Sequence, residues 1–89
     1  MTSFVGMDVG AVRTLASQLI AKADEIDTIC TTLSSQLDST QWVGPDATSF
    51  RGDWNGTYRT QLSTVAHALR DASSRATANA NQQEQASAG

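Results

Sequence analysis

The chain has 89 residues and a mass of 9.4 kDa, with 39% apolar residues, 17% charged residues and a formal net charge of −3. That is one small domain. Six Lys and Arg residues scattered through an acidic chain exclude the concentrated positive surface that nucleic-acid binding requires, and no apolar run approaches the roughly 18–20 residues that span a bilayer.

Residues 1–6 read MTSFVG and lack a basic segment followed by an apolar stretch, so no Sec-type signal is expected. Residues 11–38 contain neither Gly nor Pro, which predicts a long helix over about residues 8–39. Val9, Ala16, Ala23, Cys30 and Leu37 recur every seven residues, with Val12, Leu19, Ile26 and Leu33 interleaved. Alternating steps of three and four are the pattern of a helix packed along a left-handed coiled coil. Leu15, Ile20 and Ile29 widen the stripe beyond what a two-helix seam needs, pointing to more than one packing partner. Asp24, Glu25, Asp27 and Asp38 fall off it and read as a solvated face.

A turn is predicted over about residues 40–45. Asp38, Ser39 and Thr40 are weak helix formers. Pro45 suits the first turn of a new helix, where its missing N–H is no loss, and Gly44 tolerates the restriction that a following proline imposes. Asp46 adds negative charge near the exposed N–H groups of that helix, and Trp42 can fold back beside Phe50.

The second helix is expected over about residues 46–78. Ala47, Phe50 and Trp54 climb in steps of three and four and lead to Tyr58. Beyond them Tyr58, Val65 and Ala72 form one row, and Leu62, Leu69 and Ala76 the other. Aromatic residues gather near the turn and alanines line the far end, a taper that lets the helices approach closely. The remainder, NANQQEQASAG from Asn79 onward, is polar and without apparent pattern, and is expected to be disordered over about 79–89. Two helices of this length make a rod about 45 Å long.

The sequence therefore predicts an all-α fold: an antiparallel helical hairpin with wide apolar faces on both helices but a single internal interface. Pairing two such hairpins into a four-helix bundle would cover what one leaves open. Val12, Leu19, Ile26, Leu33, Leu62, Val65 and Leu69 are the expected hairpin and dimer packing residues. Cys30 lies on the stripe and reads as a small buried hydrophobe, and His67 as a solvated surface residue. No nucleophile–base pair, glycine-rich phosphate loop or ligand cluster is present. The chain reads as a non-enzyme with no catalytic, cofactor or metal site.

Length, a central Trp42-Val43-Gly44 at the bend, flanking helices, Ala47, and Phe50 eight residues after the tryptophan together resemble the WXG, or ESAT-like, family exported by bacterial type VII secretion systems. The resemblance covers about residues 7–78. A second Trp-X-Gly, Trp54-Asn55-Gly56, lies within the pattern of the second helix; a bend there would strand Gly44 and Pro45 inside a helix. The resemblance implies a protein made in the bacterial cytoplasm and secreted without a cleavable Sec signal. Its implied partners are an identical or related WXG-type chain, in a homodimer or heterodimer, and the secretion machinery with its ATPase, with no nucleic acid and no stable membrane insertion. It would act as a secreted substrate or co-secreted partner, with Trp42, Gly44, Phe50 and Trp54 as the turn motif and recognition surface. Trp42 also reads as a plain cap on the hairpin core. The family's Tyr-X-X-X-Asp/Glu export element is missing, because the only tyrosine, Tyr58, is followed four residues later by Leu62. A non-secreted dimeric helical adaptor is the competing expectation.

Overall fold

A computed structural model of the chain describes residues 7–88. The N-terminal stretch considered above for a leader, and residue 89 of the expected disordered tail, lie outside the described residues. Among the described residues four consecutive elements follow one another: α1 (Val9–Ser39), α2 (Pro45–Asp53), a π-helical turn (Trp54–Tyr58) and α3 (Arg59–Ala88). The last three join end to end, so the molecule is a hairpin of two arms measuring 65 × 18 × 14 Å. It is longer than the predicted 45 Å because the second arm runs unbroken from Pro45 to Ala88 at about 1.5 Å per residue.

α1 is capped by Asp8, whose carboxylate accepts from the Ala11 N–H at 3.0 Å, satisfying one of the free amide donors of the first turn. It ends at Ser39, with the Thr40 N–H closing on the Gln36 carbonyl at 2.9 Å. Gly44 then turns the chain with φ 130° and ψ 177°, a conformation essentially reserved for glycine. Pro45 opens α2, and Asp46 lies in its first turn, so the bend has the chemistry that its sequence implies.

The seam between the arms is built from small side chains. Ala16 and Ala23 on α1, and Ala66, Ser73 and Ala80 on α3, are buried, with Ala47 and Trp54 nearer the bend. Ser73 donates its hydroxyl to the Ala16 carbonyl at 2.7 Å, a bond that requires the two backbones to run close together. Val12, Leu19, Ile26, Leu33, Leu62 and Leu69 flank this seam and are only half-buried.

Two expectations about the second arm are corrected. The row Tyr58, Val65, Ala72 does not face α1, and all three residues are exposed. The π turn is the reason: it holds one residue more than an α-helical path would. Counting by seven from Trp54 reaches Gln61, but the inward row resumes at Leu62 and continues through Leu69, Ala76 and Gln83. Its companion row shifts likewise, to Ala66, Ser73 and Ala80. The expected disordered tail is also helical as far as Ala88. Ala80 completes the seam, and Arg13 on α1 bonds to Asn81 at 2.8 Å and pairs with Glu84. The inward steps persist through these residues, hidden because Gln83 is polar.

Candidate interaction surfaces

The bend is organised by a residue that the sequence reading passed over. Arg51 stands on the inward row between Ala47 and Trp54, where its guanidinium meets the end of α1. Its Nε and Nη2 donate to the Leu37 carbonyl at 3.1 and 2.9 Å, Nη2 also to Thr40 O at 2.9 Å, and Nη1 to Trp42 O at 2.6 Å. A cation at a helix C-terminus, bonded to a carbonyl of the last turn and to two of the linker that follows, is favoured by both the helix dipole and the charge-assisted bonds. The same guanidinium carbon lies 5.8 Å from the Trp42 ring centroid, within the reach of a cation–π contact. One side chain thus ties together the end of α1, the linker and Trp42. The signal was available: an arginine four residues after Ala47 and three before Trp54 sits at a core step opposite a helix end.

Trp42 packs against Phe50 with ring centroids 6.2 Å apart, and Phe50 against Tyr58 at 6.3 Å, both tilted by just over 40°. These spacings are typical of interacting aromatic pairs. Phe50 is half-buried between the other two rings, while Trp42 and Tyr58 remain exposed and Val43 is 85% exposed at the tip. Trp54 behaves differently. It is 4% exposed, and its indole N–H donates to Ser34 Oγ at 2.9 Å. Of the four residues expected at the recognition end, Trp42, Gly44 and Phe50 meet at the bend, whereas Trp54 is a buried anchor. On the row Ala47, Phe50, Trp54 expected from the sequence, Arg51 rather than Phe50 takes the inward step.

The long sides of the hairpin differ in chemistry. One side is laced by polar contacts between the arms: Arg13 with Glu84, Arg70 with Asp24 at 2.8 Å and Asp27 at 2.6 Å, and Ser34 with Trp54 and, at 3.5 Å, Arg59. The two hydrogen-bonded carboxylates raise the Arg70 pKa above its ordinary value. Asp24 and Asp27 are solvent-exposed, as expected, yet they converge on one arginine of the other arm. Cys30 is half-buried on this side, beside an open trough formed with Asp27, Thr31, Arg59, Thr60 and Ser63. His67 is exposed.

Leu15, Lys22, Ile29 and Gln36 repeat every seven residues along the opposite side of α1, and Tyr58, Val65, Ala72 and Asn79 along the matching side of the second arm. Antiparallel pairing places these two rows next to each other. Leu15, Ile29, Tyr58 and Val65 are large and exposed, and Lys22 is the one charged side chain in the two rows. This apolar side continues into the aromatic ladder at the bend.

Among the described residues no cluster of three His, Cys, Asp or Glu side chains could hold a metal ion, and no helix is long and apolar enough to cross a membrane. Comparison with family models, with characterised proteins and with solved structures finds no match.

Proposed function

We propose that this chain is a WXG-type protein of a bacterial type VII secretion system, exported as a folded helical dimer. It acts as a secreted substrate or as a co-secreted partner that keeps another chain export-competent. The observation that carries this reading is the placement of the bend: Trp42-Val43-Gly44 forms the linker of a two-helix rod, with Gly44 in a glycine-specific conformation and Trp42 and Val43 facing solvent.

The incomplete burial of the hairpin supports the dimeric part. The fully enclosed seam is mostly alanine, the larger residues beside it are half-covered, and one long side is apolar. The chain exposes 6106 Å², whereas compact monomers of this mass expose about 5,000 Å². A second hairpin of the same or related sequence laid along the apolar side gives a four-helix bundle. The acids Asp24 and Asp27 are on the other side, so two net-negative chains meet there without pressing these carboxylates together.

Export decides the matter. In the native host, the protein accumulates in the culture supernatant and is retained in cells from which the type VII ATPase gene is deleted. Retention in the cytosol irrespective of that ATPase replaces this reading with that of a dimeric adaptor. Appearance outside the cell irrespective of the ATPase assigns export to another route.

A further inference from the structure

We propose that Arg51 is the positioning residue of the recognition end: it fixes the direction in which Trp42 and Val43 face a partner. This rests on the reading of the bend as a recognition surface. Four hydrogen bonds reach from Arg51 to the carbonyls of Leu37, Thr40 and Trp42, and the guanidinium also lies over the Trp42 ring within cation–π reach.

The backbone from Gln41 to Gly44 has few other restraints. Within it the Trp42 N–H bonds to Thr40 O at 2.9 Å, and Gly44 O accepts from Thr48 N at 3.0 Å. Phe50 contacts one side of the indole. Without Arg51, Trp42 keeps that aromatic neighbour but loses the cation and the bond on its own carbonyl, and α1 loses donors on its last turn. The helices are held elsewhere, by the seam from Ala16 to Ala80 and by Trp54 on Ser34. Arg51 therefore governs the orientation of the tip separately from the formation of the rod. Lysine cannot replace it: a single ammonium carries charge to the site but cannot serve three carbonyls in a planar fork and stack on a ring together.

The test uses the full chain labelled with 5-fluorotryptophan, which gives one fluorine NMR resonance for Trp42 and one for Trp54, assigned with Trp42→Phe. Arg51→Gln and Arg51→Lys are compared with the parent by fluorine NMR, by circular dichroism and by export from the native host, with Trp42→Ala as the export reference. The expected result is a shifted or broadened Trp42 resonance with the Trp54 resonance in place, preserved helical ellipticity, and export reduced toward that of Trp42→Ala in both Arg51 variants. An unmoved Trp42 resonance overturns the positioning role. So does wild-type export of the Arg51 variants when Trp42→Ala is retained, because orientation of the tip is then immaterial. Displacement of both resonances with loss of ellipticity also overturns it, making Arg51 a general stabiliser of the hairpin. Wild-type export of Trp42→Ala itself removes the recognition reading, and the proposal with it, even where the resonance shift is observed.

Discussion

Gly44, Gly52 and Ser73 show how differently single positions constrain this hairpin. Gly44 has open space where a Cβ would sit, but its φ of 130° is strained for any L side chain. Gly44→Ala should therefore destabilise the hairpin by about 1–3 kcal/mol through the backbone alone. Gly52 also has space for a Cβ, but lies in ordinary helix. Gly52→Ala should stabilise by roughly 0.5–1 kcal/mol, and paired thermal melts with opposite shifts would establish the contrast. A rise in melting temperature for Gly44→Ala would mean that the linker takes another path. At Ser73 the constraint is volume. The buried hydroxyl sits on the opposite backbone, so Ser73→Leu overpacks a close approach, at a cost of about 1–3 kcal/mol. Ser73→Ala loses one hydrogen bond of about 0.5–1.5 kcal/mol. Denaturant midpoints should rank parent, Ser73→Ala, Ser73→Leu, and a Leu variant as stable as the parent would show that the arms stand farther apart.

The two arms were unequally legible in sequence, and the π turn explains the difference. Along α1 the seven-residue repeat runs without interruption, so Val12, Leu19, Ile26 and Leu33 could be placed beside the seam by counting alone. In the second arm the same counting fails between Trp54 and Leu62, which are eight residues apart although both face α1. Local propensity does not announce such an insertion; only the mismatch between two otherwise regular rows does. The bend was readable because Gly-Pro has a stereochemical meaning, whereas Arg51 shows in the sequence only as a cation at an inward step, because its partners are backbone carbonyls that carry no sequence signature. The tail escaped because a close-packed seam needs only Ala and a tolerant Gln, not a hydrophobic run. This account makes a prediction about chain length. Deleting Gly56 should convert the π turn into α-helix while leaving Leu62, Ala66, Leu69 and Ser73 against α1, so the melting temperature should be maintained or raised. Deleting Ser74, in regular helix, should rotate Ala76, Ala80 and Gln83 away by about 100° and lower both melting temperature and helix content. Equal damage from the two deletions would mean that the π turn does not absorb the extra residue.

At the scale of the whole molecule, the contrast between the two long sides turns the proposed dimer into a question about three residues. Ile20, Ile29 and Val65 are exposed to nearly the same degree, at 47%, 54% and 46%, so in an isolated hairpin an aspartate at any of them should be tolerated about equally. They differ in location. Ile20 shares the row of Arg13 and Asp27, whose charged contacts already bridge the arms, while Ile29 and Val65 lie on the apolar side that the proposed partner covers. A carboxylate buried at a helix–helix interface without a counter-charge is strongly unfavourable, and two-fold symmetry would introduce it twice. Sedimentation equilibrium of the purified chain should give twice 9.4 kDa for the parent and for Ile20→Asp, but the monomer mass for Ile29→Asp and Val65→Asp. If the natural partner is a related chain, the parent alone runs as a monomer, and the same ranking should appear when the partner is titrated in. Dissociation by Ile20→Asp with Ile29→Asp still dimeric would move the interface to the charged side, where the Arg70 and Arg13 contacts would have to be remade between chains.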